Sequence, residues 1–313
     1  MLVRVLDGVD AFLDQIGSVA FFPLALAIGC HLLKMACTSR AWRNVLAAAY
    51  PEERVPWISI YGAYLAGVGI NAIVPARAGD AVRIVLAHRA IPGSTYTTVV
   101  SSTLVLSLFD MFAASALLTW AIVLGELPGL DVLPRLRSFD FAWLFKRPLL
   151  FELVLGGLLV AIGVVAFWIA GHVADFRERV AQAFRVMSPP TRYLARVATW
   201  QAADWGLRLL TIWFLLGAFH IPQTLEHVGL VQASTSVATL LPITPAGVGT
   251  EQAFLLYALS GVASASVLLA FSVGAKLTLT ITNVIAGFTA IVLTLRTVRF
   301  KQALGPLPEA TDS

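Results

Sequence analysis

Charge is scarce in this chain. Asp, Glu, Lys and Arg make up 13% of its 313 residues, against about 25% in a typical soluble domain. Hydrophobic residues account for 58%, and mean hydropathy is +0.82. A water-soluble two-domain protein is excluded. The length instead accommodates five to seven membrane spans of roughly 20 residues each. Cysteine is nearly absent: Cys30 and Cys37 stand on one expected span, where a disulfide is geometrically disfavoured. The five histidines are scattered and no zinc-type spacing occurs, so neither a metal nor any other cofactor is expected. No G-x-x-x-x-G-K-[ST] loop is present, which removes the usual nucleotide-driven engine. The net charge of +4 and pI near 9.3 do not indicate nucleic acid. The basic residues lie between apolar runs, as in loops on the cytoplasmic side of a membrane. The first 17 residues carry Arg4, Asp7, Asp10 and Asp14 and lack a signal-peptide pattern; an interfacial helix is expected there.

What is present is a series of apolar runs. Span one is expected at Val19 to Met35, followed by a polar stretch with Arg40, Trp42, Arg43 and Arg54. Further spans are expected at Thr95 to Leu124, Leu149 to Ala170, Val197 to Phe219 and Ala265 to Leu295. The loop from Gly125 to Arg147 contains a segment suited to lying at the interface. Lys and Arg counts of three at 37–56, five at 176–196 and three from Arg296 onward place these stretches, and the C-terminus, on the cytoplasmic side. A bacterial inner-membrane location is the matching expectation. Residues 301–313 read as a disordered tail.

Two segments depart from the span pattern. Asn71 to Arg89 and Leu240 to Leu259 each place Pro, Gly and an acidic residue within apolar sequence. Broken backbone at membrane depth is tolerated only where protein or a wet cavity covers it, and charges there point to function. The expected fold is an all-α polytopic membrane protein of five long spans plus two re-entrant helical hairpins. A single domain covers residues 1–300, with repeat one at 18–124, a linker span at 149–170 and an inverted repeat two at 197–296. Such inverted repeats with interrupted helices characterise transporters. Whether Trp57 to Val74 crosses fully or forms half of a hairpin stays open at this point.

The chemistry-bearing residues concentrate at these breaks. The first carries Asn71, Arg77, Asp80 and Arg83. Asp80 stands in the first turn of a helix, at the favourable end of its dipole. Arg83, three residues on, either staples the turn to Asp80 or offers a guanidinium to a phosphate. The second break carries Thr244, Gly247, Gly249 and Glu251, with Pro242 and Pro245 stopping the incoming helix. Glu251 is suited to a proton, an arginine or a cationic headgroup, or simply to its own helix start. Polar stripes run along three spans: Thr103, Ser107 and Asp110; Gln201, Asp204, Arg208 and Thr211; and Lys276, Thr280, Asn283 and Gly287. Each is either glue between helices or the lining of a groove. His31 and Lys34 fall near the expected inner end of span one, where Lys34 can snorkel.

The same residues carry a family resemblance. Asn71, Pro75, Arg77, Gly79, Asp80 and Arg83 match the pattern N-x-x-x-P-x-R-x-G-[DE]-x-x-R. Pro242, Thr244, Pro245, Gly247, Gly249 and Glu251 resemble P-x-[TS]-P-x-G-x-G-x-x-E, with Glu251 one position nearer Gly249. The chain thus resembles the transmembrane region of lysylphosphatidylglycerol synthases, the flippase part of bacterial multiple peptide resistance proteins. The resemblance extends over nearly the whole chain. It implies movement of a phospholipid, aminoacylated or not, or of another anionic lipid, between leaflets. The soluble aminoacyltransferase domain of the longer members has no counterpart here, so synthesis of the lysyl-lipid is not expected and a separate lipid-modifying enzyme is an expected partner. A homodimer is compatible with the sequence. The alternative to a transporter is a membrane-embedded enzyme acting on a lipid phosphate or glycolipid; it lacks a convincing His or Cys partner for Asp80 or Glu251.

Overall fold

A computed structural model describes residues 17–74, 77–123, 173–240, 250–259 and 261–297. These are helical nearly throughout. In chain order the helices are α1 (Phe21–Ala49), α2 (Trp57–Ile73), α3 (Ala78–Ala90), α4 (Tyr96–Val123), α5 (Val173–Phe184), the single turn α6 (Pro190–Tyr193), α7 (Thr199–Ala218), α8 (Leu225–Leu240), α9 (Thr250–Ala258) and α10 (Ala265–Thr297). Among the described residues, α1, α4 and α10 contain stretches long and apolar enough to cross a membrane. α7 carries Gln201, Asp204 and Arg208 and is not among them. The expected interfacial segments, the linker span at 149–170, the tip of the second break with Thr244, Gly247 and Gly249, and the C-terminal tail lie outside the described residues.

α1 is much longer than the first apolar run predicts. It continues through Arg40, Trp42 and Arg43 to Ala49. The basic residues that read as loop are absorbed by neighbours: Arg40 lies over the Trp57 ring at 5.4 Å, and Arg43 Nε donates to the Val55 carbonyl at 2.9 Å. Trp42 is fully buried and its indole N–H donates to Ser102 Oγ at 2.8 Å. Lys34 therefore stands near the middle of α1 and not at its inner end. The basic stretch at 176–196 is also largely helical, and Gln182 of α5 donates to the last carbonyl of α1, Ala49, at 2.9 Å.

α1 and α7 run antiparallel in close contact. Ala20 N–H bonds the Ala218 carbonyl at 2.9 Å at one end, and Asn44 Nδ2 reaches the Arg196 carbonyl at 2.6 Å toward the other. α4 runs parallel to α7, with Gln201 donating to the Leu106 carbonyl and Trp205 to Asp110. α10 follows the direction of α1: Phe271 packs on Phe219 at one end, and Asn283 meets His31 further along. Outward residues such as Phe112, Leu277, Ile281, Ile285 and Phe288 are exposed and apolar. In a membrane-spanning chain that face meets lipid, and helix association rests on packing and polar contacts.

Two helical hairpins lean against this frame, each opening at a different end. The ends of α2 and α3 meet beside Tyr50, where Ala49, Val55, Ile60, Ala87 and Ile91 form one apolar cluster. The ends of α8 and α9 meet beside Phe219, where Ile221, Val228, Ala258 and Leu259 belong to another. α2 has 17 residues and α3 has 13, giving lengths of about 25 and 20 Å. Both are shorter than a hydrocarbon core of about 30 Å. Backbone contact locks the first hairpin: a Cβ on Gly79 would fall on the Gly67 carbonyl oxygen. α2 meets α10 in the same way, since a Cβ on Gly69 would lie 2.7 Å from Gly287 Cα.

Candidate functional site

The first break is a built turn. Arg77 takes a left-handed conformation, φ 57°, unusual for a residue with a side chain, and delivers the chain into α3. Asn71, from the last turn of α2, then reaches across. Its Oδ1 accepts from Gly79 N–H at 2.7 Å, and its Nδ2 donates to Asp80 Oδ1 at 3.0 Å. One side chain thereby satisfies an orphan N–H of the new helix and orients the carboxylate. Asp80 in turn pairs with Arg83 Nη2 at 3.4 Å. The Arg83 guanidinium lies over Trp42 of α1 at 5.9 Å. Arg77 itself is exposed.

A second polar group occupies the interior between α1, α4, α7 and α10. Asp204 is buried; its Oδ1 accepts from the Thr38 hydroxyl and its Oδ2 pairs with Arg208 Nη2 at 3.3 Å. Arg208 lies over the Trp205 ring at 4.6 Å, and Trp205 Nε1 donates to Asp110 Oδ1 at 2.9 Å. Buried His31 meets Asn283 Oδ1 at 2.8 Å through Nε2. Lys34 lies within electrostatic reach of Arg208, Asp204 and Asp110. The buried Asp204 carboxylate keeps its charge among these partners, and removing them leaves it stranded.

The structure thus unites Asn71, Asp80 and Arg83 at one turn, and Asp110, Asp204, Arg208 and Asn283 with α1 in the interior. Lys276 is half-buried on α10, two residues from Gly274, against which the Phe219 ring packs. Glu251 falls in the first turn of α9, and its side chain lies outside the described residues. Sequence reasoning missed the wall that joins these groups. His31, Lys34, Thr38 and Trp42 form one stripe along α1, at helical spacing. That spacing was visible, but ending the span at Met35 cut the stripe in half. Tyr64 of α2 was also missed; it lies beside Thr38 and feels the charges of Asp204, Arg83 and Arg208.

Beyond Trp205, a cavity of about 370 Å³ opens between α4, α7 and α8. Leu117, Trp120, Leu209, Leu210 and Trp213 line it. Among the described residues there is no cluster of His, Cys, Asp and Glu suited to a metal ion.

No curated protein matches the chain. The family described as the lysylphosphatidylglycerol synthase TM region matches residues 1–287, a span that takes in both breaks and every polar residue placed above. A helical membrane frame with interrupted hairpins and an ionisable interior therefore has an assigned lineage: the chain belongs to the lysylphosphatidylglycerol synthase TM region family.

Proposed function

We propose that this chain moves a phospholipid, aminoacylated or not, or another anionic lipid between the leaflets of a bacterial inner membrane. The observation that carries the proposal is a pair of ion pairs beside α1, Asp80–Arg83 against Trp42 and Asp204–Arg208 against Thr38, inside a chain otherwise built for lipid. Charges in a membrane interior face a bundle interior or a wet path, and they mark substrate or ion routes. The headgroup travels past these pairs while its tails remain among apolar surfaces. The cavity lined by Leu209, Leu210 and Trp213 of α7 supplies such a surface.

In this reading the α2–α3 and α8–α9 pairs are re-entrant hairpins entering from opposite faces, and the two halves form an inverted repeat around a linker span. Their lengths and their opposite openings support it. The C-terminus is cytoplasmic. Asn71, Arg77, Asp80 and Arg83 at the α2–α3 turn receive the headgroup together with Thr244, Gly247, Gly249 and Glu251 of the second proline–glycine segment. Asp110, Asp204, Arg208, Lys276 and Asn283 line its path. A homodimer and a separate lipid-modifying enzyme are compatible partners.

The test is a vesicle assay of headgroup accessibility. Protein-containing vesicles should expose inner-leaflet phosphatidylglycerol, or its lysyl ester, to an external quencher or modifying reagent faster than empty vesicles do. Rates equal to those of empty vesicles for every lipid tried, with the protein folded and inserted, would refute the proposal.

A further inference from the structure

Asp110 has few partners for a carboxylate at membrane depth. It stands near the middle of α4, inside the stretch long and apolar enough to span. Its Oδ1 accepts one hydrogen bond, at 2.9 Å, from the neutral indole of Trp205. Among the described residues its Oδ2 accepts none, and no lysine or arginine pairs with it. Asp204 differs: the Thr38 hydroxyl holds one oxygen and the Arg208 guanidinium the other. Charge inside a membrane is held by a cation or by several donors. Of the two interior carboxylates, Asp110 is the one whose ionised form the protein supports less.

Two contacts join Asp110 to the interior ion pair. The Trp205 ring that donates to Asp110 also carries the Arg208 guanidinium at 4.6 Å, and Arg208 pairs with Asp204. Asp110 is also approachable. It is half-buried, and Ser107 and Thr103 follow it on the same face, one and two turns back along α4. Ser107 is exposed and Thr103 half-buried. Each hydroxyl donates to a carbonyl of its own helix, Thr103 or Val100, which leaves the hydroxyl oxygen able to accept. These hydroxyls step from Asp110 toward the end of α4 where Thr98 meets Gln182 of α5, an arrangement suited to stepwise proton delivery.

The charged and titratable groups facing Asp110 are Arg208 and Asp204 on α7, Lys34 on α1 and Tyr193 on α6. With Asp110 ionised and Tyr193 neutral, two positive charges stand against two negative ones. A headgroup carrying one negative charge enters this balanced interior uncompensated. One proton on Asp110 leaves the interior with the single positive charge that the headgroup lacks. We infer that Asp110 is a proton-binding site whose proton accompanies one anionic headgroup through the interior. No bond of the lipid changes: the proton joins Oδ2 from water on one side and returns to water on the other. This inference rests on the transport reading for its cargo, while proton binding itself is measurable without transport.

The experiment has two arms. Infrared difference spectra of purified protein in detergent, taken across a pH series, read protonated carboxylic acid through its C=O stretch. Wild type should show a buried-acid band that Asp110→Asn lacks. Trp205→Phe keeps a ring under Arg208 and removes the one donor to the ionised carboxylate, so the midpoint of that band should rise by about one pH unit. In vesicles carrying trace labelled phosphatidylglycerol, a pH difference of about one unit should draw the lipid to the alkaline side in wild type, to a ratio between leaflets of about tenfold. Empty vesicles supply the baseline. Asp110→Asn should build no such ratio, and phosphatidylcholine, which has no net charge, should not follow the gradient. A band retained in Asp110→Asn, an unchanged midpoint in Trp205→Phe, or wild-type lipid movement indifferent to the pH difference would overturn the inference. Phosphatidylcholine drawn as strongly as phosphatidylglycerol would overturn it too. Should Asp110→Asn fail to fold, the Trp205→Phe midpoint decides. A wild type that shows the Asp110 band yet moves no lipid retracts the transport reading and leaves the proton site standing.

Discussion

Replacing Gly79 with alanine tests how the first hairpin is held. The new methyl lands on the Gly67 carbonyl oxygen and lies 2.8 Å from Asn71 Oδ1. The first obstacle is backbone of α2, and the second is the acceptor of Gly79's own N–H. α2 and α3 must therefore separate. Loss of the two Asn71 hydrogen bonds costs about 1 kcal/mol each. Overpacking adds about 1–3 kcal/mol. Alanine returns about 1 kcal/mol through better helix propensity. The net expectation is a loss of about 2–4 kcal/mol. Gly29→Ala is the control, since nothing lies within 4 Å of its added Cβ; it should be neutral or stabilising by up to about 1 kcal/mol. Thermal unfolding in one detergent, followed by tryptophan fluorescence, compares the two. If Gly79→Ala melts as high as Gly29→Ala, backbone contact does not hold the hairpin and the argument fails.

Three further outcomes follow from the same geometry. Asp204→Ala takes the carboxylate from half-buried Arg208 and the acceptor from Thr38 and should destabilise by about 1–3 kcal/mol; a melting temperature equal to wild type would show that this carboxylate does not join α1 to α7. Trp42→Phe removes the donor to Ser102 and shrinks a fully buried ring that lies under Arg83, so it should cost about 2–3 kcal/mol, read as a shift in the same melt. Gly287→Ala presses a methyl against Gly69 and the Leu65 carbonyl, so α10 should pull away from α2 at a cost of about 1–3 kcal/mol. Loss of cross-linking between cysteines introduced on the two helices reads that separation directly.

Much of the frame was legible because it depends on local pattern. Apolar runs matched α4, α7 and α10 nearly to their ends, and the Pro and Gly cluster at 75–79 marked the break between α2 and α3. The pairs Asp80–Arg83 and Asp204–Arg208 followed from helical spacing alone. The course of α1 was misread for a physical reason. Arg40 and Arg43 interrupt hydropathy without ending the helix, because arginine is a good helix former, and contacts with Trp57 and Val55 take up their side chains. Contacts between distant segments left no local trace. Thr38 and Asp204, His31 and Asn283, and Gly69 and Gly287 are joined by tertiary packing. Periodicity tells which face of a helix is polar; it does not tell which other helix that face meets.

Transbilayer movement by hairpin variants tests the central claim most directly. Wild type, Arg83→Ala, Glu251→Ala and the double variant are reconstituted at equal density, each shown to be folded, and phosphatidylglycerol exchange is timed in the same vesicles. One shared polar path predicts that either single substitution brings the rate close to that of empty vesicles, and that the double variant is hardly slower. Wild-type rates in both single variants would contradict the account.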